Sequence, residues 1–213
     1  MSSEDFEPLL FGFCGPVASG KSTICAQLCQ YESETLISSV STTTRDPRDL
    51  EKEGEHYFFV SEQEFLTRVS NADFIEHAQF GGQRYGTERR NIELAREKGR
   101  DLILDVDVQG VEQLKKLYPE RLVTIFVFPP SFAELERRLR ERGTEDESAR
   151  EERLWIAKHE VTTLKGEGFS DYLLINDDLE RSVSLARSIV KAERARYGRY
   201  PKEVLDKIFA EMT

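Results

Sequence analysis

Short apolar runs alternate with helical patterns along most of the chain. Five runs have the composition of buried strands, namely Leu9–Cys14, Leu36–Val40, Leu102–Val106, Leu122–Phe128 and Tyr172–Ile175. The spacing of apolar residues predicts helices, mostly between these runs, over Val108–Leu117, Ser131–Arg142, Arg150–Leu164, Asp178–Arg196 and Pro201–Met212. This alternation indicates right-handed β-α-β units and therefore an α/β fold, with a three-layer core built on a parallel sheet.

Residues 15–22 read G-P-V-A-S-G-K-S, a G-x-x-x-x-G-K-[ST] pattern that follows the first strand and opens a helical segment. In the fold class of P-loop NTPases, such a loop surrounds the phosphates of a nucleoside triphosphate with backbone N–H groups. We expect Lys21 to reach the β- and γ-phosphate oxygens and Ser22 to place its hydroxyl on Mg²⁺. The triphosphate-binding residues are then Gly15, Pro16, Val17, Ala18, Ser19, Gly20, Lys21, Ser22 and Thr23. The alternative is a glycine-rich turn that binds nothing.

Two segments depart from the alternation. Tyr57–Val60 and Phe74–Phe80 have the composition of strands, and the capping box Ser61-Glu-Gln-Glu64 opens a short helix between them. We predict a small mixed α+β insertion over 41–98 that overhangs the nucleotide site. An irregular piece, Gly143–Ser148, separates two arginine-bearing helices and indicates a hinged lid over 143–157. The chain 1–213 is then one domain, whose core comprises 1–40, 99–142 and 158–213.

Asp105 and Asp107 close the third core strand and share one of its faces. The carboxyl edge of a parallel sheet faces the ligand crevice, where unpaired carboxylates need a cation or hydrogen-bond donors. We therefore expect them to hold magnesium through water, with Asp105 and Ser22 as the metal residues, or to contact substrate hydroxyls. The alternative is that they cap the following helix.

Six arginines fall between residues 137 and 153, namely Arg137, Arg138, Arg140, Arg142, Arg150 and Arg153. Arg138 and Arg142 share a helix face, as do Arg150 and Arg153 across the predicted lid. Planar, permanently charged groups that close over a transferring phosphoryl group stabilise its equatorial oxygens. The alternative, solvated helix faces that pair with neighbouring glutamates, accounts for about half of the six.

A second anion site is indicated by the loop Ser41-Thr-Thr-Thr-Arg45-Asp-Pro-Arg48, which combines four hydroxyls with two arginines. Tyr57 and Tyr85 follow within the same insertion. Two arginines and two phenols make a suitable cradle for a monophosphate.

Composition narrows the class of partner. The chain of 213 residues carries 30 basic and 40 acidic side chains, so its net charge of −10 argues against nucleic-acid and anionic-membrane partners. It lacks an 18-residue apolar run and a signal-peptide pattern, and we expect a cytoplasmic location. The three cysteines form no C-x-x-C pair, and we expect them to be reduced.

From about Leu9 to Arg196 the chain resembles the guanylate kinases. The matching blocks, in order, are G-P-V-A-S-G-K-S-T, S-V-S-T-T-T-R-D-P-R, H-Y-F-F-V-S, F-I-E-H-A-Q-F, R-Y-G-T, I-L-D-V-D-V-Q-G, F-V-F-P-P-S, R-R-L-R-E-R-G-T and I-N-D-D-L. Val17-Ala18 departs from the small Ser-Gly pair usual in this loop, and His77 stands where tryptophan is frequent.

The resemblance implies phosphoryl transfer from ATP to GMP with Mg²⁺, and it implies residue roles. Arg45, Arg48, Tyr57 and Tyr85 would hold the GMP phosphate. Ser41, Glu76 and Thr87 would read guanine, with Asp107 nearby. Arg138, Arg142 and Arg153 would serve the ATP phosphates and the transfer step, and Asn176 would lie near the adenine.

The chemistry of the two purine bases gives a separate reason to expect that Glu76 selects guanine. Guanine presents adjacent N1–H and N2–H₂ donors, which one carboxylate accepts together, whereas adenine presents an acceptor at N1. Sites built on buried hydrogen bonds discriminate by about 10⁴–10⁵. The alternative is a surface glutamate on an edge strand. We therefore predict a GMP kinase whose catalytic residues are Lys21, Arg45, Arg138 and Arg153. We expect it to be a monomer or small homo-oligomer with small-molecule substrates. The alternatives are a kinase for another nucleoside monophosphate and a non-catalytic protein-interaction module.

Overall fold

The computed structural model describes residues 7–141, 147–163, 169–199 and 202–210. In chain order, its strands are β1 (Leu10–Cys14), β2 (Leu36–Ser38), β3 (Ser41–Thr43), β4 (Tyr57–Phe59), β5 (Phe74–Phe80), β6 (Gln83–Glu88), β7 (Asp101–Asp105), β8 (Leu122–Phe128) and β9 (Tyr172–Ile175). Its α-helices are α1 (Lys21–Tyr31), α2 (Glu62–Ser70), α3 (Arg90–Glu97), α4 (Val108–Leu117), α5 (Phe132–Glu141), α6 (Glu147–Thr163), α7 (Leu179–Arg194) and α8 (Lys202–Ala210).

The core is a five-stranded parallel sheet with strand order β2-β7-β1-β8-β9. Its strands are apolar on both faces because helices cover both faces. One face, which includes Phe11 and Phe13, packs against α1 and α7, and the other, which includes Leu10 and Leu104, packs against α3 and α4. The predicted α/β fold with a three-layer parallel core is therefore confirmed. None of the helices in the described ranges is both long and apolar enough to cross a lipid bilayer.

The insertion forms a second sheet of four strands in the order β4-β3-β6-β5. It is mixed, because β3 runs parallel to β4 and antiparallel to β6. Ser61 caps α2 as predicted by accepting a hydrogen bond from the backbone of Glu64. The helix packs on this sheet through Phe65, whose ring stacks on Phe74 with centroids 4.5 Å apart.

Several element ends differ from the prediction by one or two residues, and two segments that were predicted as irregular are regular. Ser41–Thr43, predicted as part of a loop, is the strand β3, because the hydroxyls of Thr42 and Thr43 find partners on Glu88 and the carbonyl of Arg84. Glu147 and Ser148, predicted as irregular, belong to α6. The segment 147–152 reads E-S-A-R-E-E, which consists mostly of good helix formers and favours this earlier start.

Candidate active site

A cavity of about 460 Å³ lies between the phosphate loop and the insertion. Most of the residues predicted from the sequence line it, namely Gly15, Pro16, Val17, Ala18, Ser19, Gly20, Lys21, Ser22, Thr23, Ser41, Arg48, Tyr57, Glu76, Tyr85, Asp105, Asp107, Arg138 and Arg153. The loop thus shares one cavity with Glu76 and the two phenols of the insertion and with the two aspartates of the core. Three predicted residues, Arg45, Thr87 and Asn176, are not among the lining residues, and Arg142 lies outside the described residues.

The phosphate loop connects β1 to α1 and is pressed closely onto its neighbours. Gly15 has a φ of 133°, and a Cβ there would come within 2.1 Å of the Val127 carbonyl oxygen. Gly20 has a φ of 95°, and its Cβ would lie 2.1 Å from the side-chain nitrogen of Asn176. Only glycine fits these two positions, because both the backbone conformation and the available space exclude a side chain.

The middle of the loop contains a residue in a strained conformation. Ala18 has a φ of 65°, in the left-handed region that glycine adopts without cost. Ala18 and Val17 pack against an apolar cluster that includes Leu135 of α5 and Ala157 of α6. The departure from the usual Ser-Gly pair therefore adds an apolar contact between the phosphate loop and these two helices.

The roles of the two aspartates separate in the structure. The Ser22 hydroxyl donates a hydrogen bond of 2.5 Å to Asp105 Oδ2, and Lys21 Nζ lies 3.7 Å from Asp105 Oδ1. Asp107 instead caps α4 by accepting a hydrogen bond of 2.7 Å from the Gly110 N–H. Helix capping, the alternative considered from the sequence, therefore applies to Asp107.

Ser22 and Asp105 fit the requirements of a magnesium ion. Mg²⁺ prefers oxygen ligands and is usually held by one or two carboxylates together with substrate phosphates and waters. These two side chains present a hydroxyl and a carboxylate at the start of the phosphate-binding helix. The ε-amino group of Lys21 lies beside them and donates a hydrogen bond of 2.8 Å to the Gly15 carbonyl.

Glu76 lies on β5 at the base of the cavity and is only 5% exposed. Burial raises the pKa of its carboxyl to about 7, hydrogen bonds from Thr87 oppose the shift, and the charge of Asp107 adds to it. Thr87 in turn lies 3.4 Å from the Ser41 hydroxyl. A buried carboxylate whose ionised form lacks enough compensation is suited to a ligand that brings its own N–H donors.

Three of the four residues predicted to hold a monophosphate come together from separate segments of the insertion. Arg48, Tyr57 and Tyr85 line the cavity, and the two phenol rings meet edge-on with centroids 6.2 Å apart. Burial raises the pKa of Tyr57 to about 12, so its hydroxyl stays protonated and able to donate a hydrogen bond.

Arg45 lies behind these phenols and is held by Glu51. Arg45 Nη2 lies 2.9 Å from each carboxylate oxygen of Glu51, and the guanidinium lies 5.4 Å from the ring centroid of Tyr57. Sequence reasoning did not identify Glu51. The available signal was a carboxylate three residues after Arg48 in the same loop, which is too common a pattern to be specific.

The arginines of α5 and α6 whose side chains the structure describes divide into two groups. Arg138 reaches the phosphate loop, where it donates 3.4 Å to the Ser19 carbonyl and 2.9 Å to the Asn176 carbonyl, and Arg153 lines the cavity from α6. Arg137 and Arg140 lie on the exposed face of α5 and pair with glutamates of the same helix. Arg138 also has a partner in α5, because its Nε lies 2.8 Å from the Glu134 carboxylate.

Asn176 is only 5% exposed and supports the phosphate loop from below. Its side-chain nitrogen donates 2.8 Å to the Ser19 carbonyl, and its side-chain oxygen accepts 3.1 Å from the Ser182 hydroxyl. The sequence resemblance implied a position near an adenine. The structure places the amide against the loop, with both of its ends engaged by the protein.

Comparison with known proteins gives a consistent picture. The family model for guanylate kinase matches residues 10–193. Guanylate kinase of Clostridioides difficile (strain 630) is 38% identical over 204 residues, which cover 96% of this chain and 97% of the relative. That of Thermotoga maritima is 42% identical and covers 89% of both chains. The crystal structure of guanylate kinase from Anaplasma phagocytophilum matches with a TM-score of 0.77 at 32% identity, covering 96% of this chain and 97% of that one.

Proposed function

Because the chain belongs to the guanylate kinase family, we propose that it transfers the γ-phosphoryl group of ATP to GMP, forming ADP and GDP with Mg²⁺. One observation carries this proposal. A single cavity is lined on one side by the triphosphate loop and on the other by Glu76, Asp107 and the phenols of the insertion. Two different nucleotides would therefore meet with their phosphates facing each other.

The acceptor base is selected by charge and hydrogen bonding. The ionised Glu76 carboxylate would accept from N1–H and N2–H₂ of guanine. Ser41 and Asp107 line the same cavity, and the Thr87 hydroxyl lies 3.4 Å from that of Ser41. Adenine would place its N1 lone pair against this carboxylate and leave a buried group unsatisfied. Such mismatches discriminate more strongly than differences in shape.

Phosphoryl transfer would then need positioning and charge neutralisation rather than a general base, because the GMP phosphate is already an anionic nucleophile. Lys21 would hold the β- and γ-phosphates, Arg45 the acceptor phosphate, and Arg138 and Arg153 the equatorial oxygens between them. A magnesium ion held by Ser22, Asp105 and the ATP phosphates would neutralise developing charge.

The domain organisation follows from the same two-ligand site. We assign the core to 1–40, 99–142 and 158–213, the acceptor-binding insertion to 41–98 and a lid to 143–157. Closure of the insertion and lid over both nucleotides would exclude water and prevent hydrolysis of ATP.

A coupled assay of ATP with each nucleoside monophosphate tests the proposal. We expect turnover with GMP that exceeds turnover with AMP, CMP and UMP by orders of magnitude. A preference for AMP would refute the reading of guanine by Glu76. The absence of turnover with every monophosphate, despite binding of GMP, would favour the non-catalytic interaction module.

A further inference from the structure

Helix α4 contacts the Glu76 carboxylate at Gly110. Gly110 is buried in the first turn of α4, and it faces Glu76 of β5. A Cβ built on Gly110 would lie 2.7 Å from Glu76 Oε2 and 3.3 Å from Glu76 Cδ. The first distance is shorter than van der Waals contact allows, so the carboxylate occupies the place of the missing side chain.

The backbone on both sides of this contact is held in place. Gln113 Nε2 donates 2.8 Å to the carbonyl of His77, and Gln113 Oε1 accepts 3.2 Å from the His77 N–H. The Gly110 N–H is bonded to Asp107 at 2.7 Å. Because α4 and β5 are joined directly beside Glu76, a side chain at residue 110 would displace the carboxylate more readily than it would move either backbone.

We propose that Gly110 is a positioning residue for guanine. Because residue 110 has no side chain, the Glu76 carboxylate has room to take the position in which it accepts hydrogen bonds from both guanine donors. The proposal rests on the proposed function of the site. It assigns specificity for the acceptor base to a helix of the core as well as to the insertion, because Asp107 and Gly110 both belong to the start of α4.

The geometry separates this role from a structural one. In Gly110→Ala the close contact falls on the far end of a flexible side chain, which rotates away, and alanine favours a helix more than glycine does. The Val106 Cβ, 3.3 Å from the added methyl group, needs only a small shift. Stability should therefore stay close to that of the wild type while the carboxylate moves.

The experiment compares Gly110→Ala with Gly198→Ala, whose added methyl group meets no atom within 4 Å. For Gly110→Ala we expect KM for GMP to rise at least about tenfold, as for a lost buried hydrogen bond to a charged group. The preference for GMP over AMP should fall, while KM for ATP and the midpoint of thermal unfolding stay near wild-type values. Gly198→Ala should match the wild type in every measurement.

Two further variants distinguish failure of this inference from failure of the proposed function. If Glu76→Gln leaves use of GMP unchanged, the proposed reading of guanine is wrong. If Glu76→Gln weakens use of GMP but Gly110→Ala does not, the role of Gly110 is wrong.

Glu76→Asp provides a second measurement that remains decisive if Gly110→Ala is unstable. The shorter side chain withdraws its carboxylate from residue 110. If Gly110→Ala lowers the thermal midpoint, adding Glu76→Asp should therefore restore it. Glu76→Asp should raise KM for GMP by a smaller factor in the Gly110→Ala protein than in the wild type. Equal penalties in the two backgrounds would show that the residues act independently and would overturn the proposal.

Discussion

The side chain of Asn176 donates a hydrogen bond of 2.8 Å to the backbone carbonyl of Ser19, which joins the end of β9 to the middle of the phosphate loop. Gly20 makes this contact possible, because a Cβ there would occupy the position of the amide. The same Asn176 accepts from Ser182 of α7. The loop is therefore held from below by a residue distant in sequence.

We predict that Asn176→Ala lowers the free energy of unfolding by about 1–3 kcal/mol, because two buried groups lose their partner. If Asn176 acts through the loop, KM for ATP and KM for GTP should rise by the same factor, since the triphosphate is common to both. A changed ratio of ATP to GTP use would instead indicate contact with the base. Asn71→Ala, at the exposed end of α2, is the matched control.

Glu51 should orient Arg45 toward the acceptor phosphate. Glu51→Gln keeps one hydrogen-bond acceptor but removes the charge that holds the guanidinium, and charge-assisted bonds contribute about 1.5–3 kcal/mol. We expect KM for GMP to rise by about one order of magnitude, with a smaller effect on kcat. Glu55→Gln, which removes only an exposed pair with Lys52, should leave both constants unchanged. An unchanged KM in Glu51→Gln would show that Arg45 does not need this partner.

We predict that the buried Glu76 carboxylate lowers the free energy of unfolding at neutral pH. Its pKa is about 7 in the folded protein against an ordinary 4.5, so the unfolded chain gives up this proton first as pH rises. Stability is therefore lost between about pH 4.5 and pH 7, by up to about 3 kcal/mol. Glu76→Gln should raise the free energy of unfolding at pH 8 and lose that advantage below about pH 4.5. A constant difference across this range would contradict the assignment.

The raised pKa of Glu76 should also make the preference for GMP over AMP depend on pH. Protonation of Glu76 places a donor where guanine needs an acceptor and where adenine N1 accepts. We therefore expect kcat/KM for GMP to fall as pH drops below about 7, and the preference for GMP over AMP to fall with it. In Glu76→Gln this pH dependence of the preference should disappear, and its persistence would point to another titrating group.

Lys21 should act on the triphosphate side alone. We predict that Lys21→Ala abolishes turnover, because the charge beside the β- and γ-phosphates is lost, while GMP binding measured by calorimetry stays close to wild type. Lys52→Ala, at an exposed position of the insertion, serves as the control. An equal loss of GMP affinity in Lys21→Ala would place Lys21 on the acceptor side.

Asp105 should set the magnesium requirement. Asp105→Asn keeps the size of the side chain but removes the charge beside Ser22, so the Mg²⁺ concentration at half-maximal rate should rise about tenfold or more. Chelation of Mg²⁺ should abolish turnover of the wild type. Binding of GMP should be unaffected in both cases, and a weaker GMP affinity in Asp105→Asn would give Asp105 a role in acceptor binding.

The core sheet and the phosphate loop could be predicted because their patterns are local. A strand covered on both faces is apolar along its length, and the loop needs its glycines, lysine and serine at fixed spacing. The strands β3 and β6 could not be predicted in this way. Their buried residues include Thr42, Thr43 and Thr87, whose strand conformation depends on partners that only pairing brings together.

The sequence by itself determined which chemical groups are present and in what local order, including the phosphate loop, the two carboxylates at the end of β7 and the arginines that follow. Only the tertiary structure decided which of these groups contact each other. In the folded protein Asp105 accepts a hydrogen bond from Ser22, Asp107 caps the start of α4, and Gly110 lies against Glu76. Such contacts depend on how separate elements pack, and packing follows from the burial and partners of the whole chain rather than from the spacing of neighbouring residues.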